Sequence, residues 1–358
     1  MARAGTNLRT NYLDSNEVLR RPYQKVLVAM ILIAALALPG GSSDYFLHLI
    51  NLCFLACIGA LGLMILTGFC GQISLGHAAF LAIGAFTTVI LTVHLKLSFI
   101  VVVPAAAVSG ALVGFIVGLP SLRFRGVYLA ISTLAMHYAI IFVCTSYQAK
   151  FGASATSGIT IADPSIGSFR LNGDYAWYYF LLVLVTLVTV ACINLVRTRP
   201  GRAWMAIRDR DIAAEALGIN LTRYKLLAFM LSASLASVSG SLAAYYSNVV
   251  TVEGYTLDLA VIYVAMIIVG GMGSILGGLM GAIFITLLPY SIDSLFEYLP
   301  RAWRFGTTVF GVQVGVVGVC IILFLLFEPK GLAEIWRRVE TYFDRWPFRY
   351  RPLDTTRR

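Results

Sequence analysis

The chain has 358 residues, 59% of them hydrophobic and only 12% charged, with a mean hydropathy of +0.83. The net charge of +10 would suit a nucleic-acid partner, but its basic residues sort by side of a membrane, and a nucleic-acid role is excluded on that ground. No polar segment exceeds roughly 30 residues, too little for a soluble domain, so the fold class is all-α: a polytopic transmembrane helical bundle.

In chain order, a polar cytoplasmic tail (1–25) leads into a transmembrane domain (26–327), which ends in a basic cytoplasmic tail (328–358). Apolar stretches at 22–39, 45–67, 73–93, 98–119, 127–146, 176–196, 226–247, 257–272, 275–290 and 307–327 predict about ten spans. An even number places both termini on one side. That side collects 22 of the 27 Lys and Arg residues, against five on the other (Lys96, Lys150, Arg170, Arg301 and Arg304), which makes it cytoplasmic. The first stretch follows a long basic tail and lacks a small-residue cleavage site, so it reads as an uncleaved helix.

Residues 68–80, Gly-Phe-Cys-Gly-Gln-Ile-Ser-Leu-Gly-His-Ala-Ala-Phe, interrupt the helical pattern. Gly68, Gly71 and Gly76 disfavour a continuous helix, while Gln72, Ser74 and His77 add polar groups. Broken backbone at membrane depth requires burial in protein or a water-filled cavity. Gly71, Gln72, Ser74, Gly76 and His77 are therefore the candidate pathway residues; close helix packing by the glycines is the competing reading. A second cluster, Gly270, Gly271, Gly273, Gly277, Gly278 and Gly281, contains GxxxG spacings and points to packing. Two glycine-broken regions in opposite halves, five passes each, suggest an inverted repeat.

Between the sixth and seventh spans lies a cytoplasmic loop, 197–225. Pro200 and Gly201 end the preceding helix, an alanine-rich run favours a short new one, and Gly218 is placed to stop it. At 100° per residue Arg208, Asp211 and Glu215 form a charged stripe, with Ala206, Ala213 and Leu217 nearly opposite. The helix is either a connector on the membrane surface or a docking site for a cytoplasmic partner.

Chemistry has little foothold. The sequence has no P-loop, no H-E-x-x-H and no G-x-S-x-G motif. No catalytic, cofactor-binding or metal-ligating residues are assigned, and the chain is not expected to be an enzyme. The six cysteines fall in or beside apolar spans without metal-site spacing. All 17 acidic residues lie in loops, tails or span ends, leaving His77 and His137 as the titratable groups at depth. Self-powered carriers usually place carboxylates there. An external motor is favoured, and a self-contained channel or secondary carrier is the alternative of another class.

Four stretches resemble the membrane subunits of bacterial ABC importers for branched-chain amino acids, in particular the longer M-type subunit: Gly71–His77, Leu122–Tyr128 with Thr133–Ala135, Gly201–Asp209, and Phe327–Leu332. The resemblance covers about residues 25–350. It implies a permease subunit in the bacterial inner membrane, paired with a second related permease as a heterodimer. It also implies ABC ATPase subunits on the cytoplasmic loops, a periplasmic substrate-binding protein that delivers a small-molecule solute, and ATP bound by the partners rather than by this chain. A urea or short-chain amide permease is the alternative within the class. The coupling loop would supply Arg202, Ala206, Arg208, Asp209, Ala213, Glu215 and Gly218. Two departures stand out. Glu215 precedes Gly218 by three positions where the general importer pattern has six, and Ala155-Thr156-Ser157-Gly158 replaces a Thr-Gly-Gly in the outer loop.

Overall fold

The computed structural model describes residues 30, 33–41, 43–122, 124, 126–152, 158–166, 169–171, 173–297, 309–328 and 331–345. The N-terminal tail, most of the first expected span, Arg123, Arg125, Ala155–Ser157 and the end of the C-terminal tail lie outside them. The chain divides into two compact units at His48 and Leu49. In the first, helical residues 33–37 run into a 3-10 turn at Leu38–Gly41, and a new helix begins at Asp44.

The helices, in order, are α1 (Asp44–Leu63), α2 (His77–Val89), α3 (Phe99–Ser121), α4 (Val127–Phe151), α5 (Asp174–Arg197), α6 (Arg199–Asp209), α7 (Asp211–Ala216), α8 (Leu221–Ser247), α9 (Leu257–Gly270), α10 (Ile275–Glu297), α11 (Val309–Phe327) and α12 (Leu332–Arg345). π-Helical turns extend α1 through Met64–Phe69 and α2 through Ile90–His94. The described residues also include four two-residue strands: β1 (Ile159–Thr160), β2 (Ser165–Ile166), β3 (Phe169–Arg170) and β4 (Val249–Val250), with β1 antiparallel to β4 and β2 to β3.

The protein is thus an all-α polytopic bundle. Among the described residues seven helices are long and apolar enough to cross a bilayer: Asp44–Phe69, His77–His94, Phe99–Pro120, Tyr128–Phe151, Asp174–Arg197, Leu221–Ser247 and Ile275–Ile292. α9 is apolar but has only 14 residues. At 1.5 Å per residue it reaches ~21 Å, short of the ~30 Å hydrocarbon core.

α8 is the centre of the second unit, and its small residues explain why. Lipid offers no hydrophobic drive for helix association, so close backbone approach and interhelical hydrogen bonds must supply it. A Cβ at Gly84 of α2 would sit 1.9 Å from Ser237 O, and one at Gly240 would sit 2.0 Å from Leu81 O. Gly110 and Gly114 of α3 also meet α8 closely: a Cβ there would lie 2.6 Å from Ala233 O and 2.9 Å from Phe229 O, respectively. Ser237 Oγ donates to Phe80 O and Ser239 Oγ to Leu55 O, both at 2.8 Å, and Thr88 Oγ1 donates to Ser241 Oγ at 2.6 Å. The second glycine cluster does the same for α9 and α10: Gly270 faces Gly277 O, and Gly281 faces Met266 O.

Segment ends of the second unit gather at two opposite ends of the bundle. One holds the β1–β4 pair and the bond from Val252 N to Gln148 Oε1 (2.8 Å). There also Tyr246 OH donates to Asp174 Oδ1 (2.7 Å), and Asn51 Nδ2 donates to Asp174 O (3.1 Å). The other holds the 70–76 break, Gly126, α6–α7 and the Gly271–Gly273 turn. Gly331, at φ +73°, packs on Gly271 at this same end, where the bidentate pair Arg338–Glu328 fixes the first turns of α12.

Candidate functional site

The break between α1 and α2 is built residue by residue. Cys70 N donates to Ile65 O and Gln72 N to Leu66 O, both at 3.1 Å, closing the carbonyls that a helix end leaves open. Gly71 then turns the chain at φ +72°, where a side chain would be strained. Ser74 Oγ accepts from Gly76 N (3.3 Å), and Thr133 Oγ1 of α4 accepts from Leu75 N (3.0 Å). A Cβ on Gly76 would meet Thr133 O at 2.7 Å, so the restart of the helix is seated against α4. His77, fully buried, donates from Nε2 to Gly59 O (2.9 Å) and lies edge-on to Tyr263, tying α2 to α1 and α9.

The five candidate pathway residues therefore divide. Gly71 and Gln72 line an open cavity of about 310 Å³ together with Arg208, Asp209, Arg210 and Lys225. Ser74, Gly76 and His77 are buried within this chain and are not among the residues that line that cavity.

The loop departs from its expected form. In place of one short helix ended by Gly218 there are two, α6 and α7, separated at Arg210, which is extended (φ −158°, ψ 105°). Gly218, at φ +83°, follows α7. The predicted stripe is consequently split. Arg208 reaches Gly68 O at the bundle end while 38% of its side chain stays exposed, and Asp211 pairs with the buried Lys225 at 3.9 Å. Glu215 stays exposed.

Asp209 and Arg202 are also exposed; Arg202 Nη1 donates to Arg197 O (3.1 Å), and Ala206 is half-buried. On α7 Ala214 is buried, whereas Ala213 is exposed and the apolar Ile212 is 71% exposed; Leu217, just after the helix, is 82% exposed.

Two residues that sequence reasoning missed hold this segment in place. Trp204 has no exposed surface, and its Nε1 donates to Tyr224 O at 2.8 Å, docking α6 on the first turn of α8. Trp204→Ala should cost ~3–5 kcal/mol through lost volume and the lost indole hydrogen bond. Unfolding in mixed micelles measures this, and an unchanged midpoint would contradict the anchor. Lys225 is the other. The signal available for it was a lone cation near the start of an apolar span, where burial needs a partner.

These arrangements can be set beside known proteins. The family described as branched-chain amino acid transport system / permease component matches residues 45–325. The high-affinity branched-chain amino acid transport system permease protein LivM of Escherichia coli is 28% identical over 338 residues, covering 88% of this chain and 76% of that protein. The probable LivM of Methanocaldococcus jannaschii is 24% identical over 236 residues, covering 63% and 67%. The fructose import permease protein FruG of Bifidobacterium longum is 25% identical over 305 residues, covering 76% and 86%. No solved structure gives a match.

Proposed function

The chain belongs to the branched-chain amino acid transport permease family, and from that premise we propose that it forms part of a transmembrane pathway for branched-chain amino acids, driven by ATPase subunits on α6–α7. The observation that carries this reading is the α6–α7 segment itself. It hangs from the bundle end richest in basic residues, packs against the 70–76 break, and displays Ile212 and Leu217 to water. Exposed aliphatic side chains on a rigid, anchored hairpin suit an interface whose partner covers them.

The positive-inside distribution makes that end cytoplasmic. A second, related permease subunit then faces this one, and a binding protein delivers solute at the β1–β4 end. The LivM of E. coli matches over 88% of the chain, whereas relatives whose names record fructose or autoinducer 2 import match over 58–76% of it, which favours branched-chain amino acids as solute. Motion of α6–α7 biases the bundle between inward-open and outward-open states.

Uptake is the direct test. Proteoliposomes holding the two permeases, the ATPase subunits and the binding protein should take up leucine, isoleucine and valine only with ATP. Uptake of urea or fructose in their place would replace the assignment of solute, and ATP-independent flux would remove the motor. We assign the pathway role to Gly71 and Gln72 rather than to the buried Ser74, Gly76 and His77. A cysteine at 72 should react with water-soluble maleimide, whereas cysteines at 74 and 77 should be protected.

A further inference from the structure

Arg208 sits where both glycine breaks meet. Its Nη1 donates to Gly68 O at 2.7 Å, in the last turn of the π-helical extension of α1. The C-terminal end of a helix carries unsatisfied carbonyls and partial negative charge, so a guanidinium there makes a charge-assisted cap.

Three glycines from two separate segments leave room for it. A Cβ on Gly71 would lie 3.0 Å from Arg208 Cγ, and one on Gly273 would lie 2.3 Å from Nη1. Gly68 approaches Gly273 so closely that its own Cβ would be 3.0 Å from Gly273 N. The notch thus joins the end of α1, the 70–76 break and the α9–α10 turn, and one side chain from α6 fills it. Asp209, at 3.7 Å from Nε, is 73% exposed and leaves the guanidinium free to serve Gly68.

We propose that Arg208 is a positioning residue: a latch through which displacement of α6–α7 reaches the end of α1 and the α9–α10 turn together. This rests on the reading that α6–α7 receives the ATPase. The latch needs two properties. It must be the same rigid body as the docking segment, and Trp204 and Ile207, both buried on α6, give it that. It must also hold an element that is mobile once released. The backbone from Gly71 to Gly76 belongs to no helix or strand, and its regular bonding resumes only at His77. Withdrawal of the guanidinium leaves Gly68 O unpaired and opens the notch. Gly71 and Gly273 can then turn without a side chain between them.

Cys70 reports on the latch without reference to solute. It is fully buried beside the cavity that Arg208 also lines. The experiment compares wild type, Arg208→Ala and Arg208→Lys as complexes co-purified with their ATPase subunits. It measures maleimide labelling of Cys70 by peptide mass spectrometry, together with uptake per ATP hydrolysed. In Arg208→Ala, Cys70 should label at least tenfold faster than in wild type with or without ATP. Uptake per ATP should fall at least tenfold while the ATPase still co-purifies. Arg208→Lys keeps one donor for Gly68 O and should fall between the two on both measurements, which a merely misfolded protein would not do.

Equal Cys70 labelling in Arg208→Ala and wild type overturns the proposal. So does loss of the ATPase from both variants, which would make Arg208 a docking contact. A wild-type complex that takes up no amino acid would instead remove the functional reading, and the Cys70 comparison would still decide the latch.

Discussion

Gly240→Ala is expected to lower the stability of the folded chain by about 3 kcal/mol, at the top of the usual range for overpacking. The new methyl carbon would lie 2.0 Å from Leu81 O and 2.9 Å from Leu81 Cα, all of it backbone that no rotamer change can move. Carbon contacts are optimal at ~3.5–4.0 Å, so α2 and α8 must part by about 1 Å or more. Parting stretches the Ser237–Phe80 and Thr88–Ser241 hydrogen bonds that fasten the same crossing. Helix propensity pushes the other way, favouring alanine by ~1 kcal/mol, and is the smaller effect. Gly315 in α11 provides the control, since a Cβ there meets nothing within 4 Å. Gly315→Ala should be neutral or slightly stabilising. Unfolding of both variants in mixed micelles separates the cases, and equal midpoints would mean that α2 and α8 do not cross as closely as described.

Leu217→Asp should weaken ATPase docking roughly 30-fold, the equivalent of ~2 kcal/mol for loss of a well-packed anchor. Leu217 is 82% exposed, so its replacement leaves this chain's own packing untouched. Ala213→Trp, on the exposed part of α7, should obstruct the same contact by bulk. Glu215→Gln should be mild, because an exposed ion pair contributes only ~0–1 kcal/mol. Co-purification of the ATPase with each variant, at matched levels of inserted permease, is the measurement. Full retention by both Leu217→Asp and Ala213→Trp would place docking elsewhere on the chain.

Hydropathy made most of the bundle legible, because burying backbone in lipid leaves the helix as the economical choice over long apolar runs. Glycine spacing marked both breaks for the same reason: Gly71, Gly271 and Gly273 occupy positive φ, where other residues are strained. The loop was less legible. Residues 203–217 are nearly all good helix formers, so nothing local announces the extended Arg210. The break is tertiary in origin: Arg208 is drawn into the glycine notch on one side of it, and Asp211 toward Lys225 on the other. Periodicity placed Arg208 and Glu215 on one face, but it carries no information about which polar face turns inward. The buried state of His77 was hidden likewise, since its partners Gly59 and Tyr263 are set by the packing of α1 and α9.

The central position of α8 sets a clock for biogenesis. α2 and α3 leave the ribosome about 125–160 residues before α8 does, which at ~5–20 residues per second is an interval of about 6–30 s. Throughout that interval Gly84, Gly110 and Gly114 have no helix to receive them, and the hydroxyl of Thr88 has not met Ser241. The first half of the protein therefore waits in the insertion machinery with the α8-facing sides of α2 and α3 uncovered. Those sides close only when a strip of alanines and serines arrives from the second half.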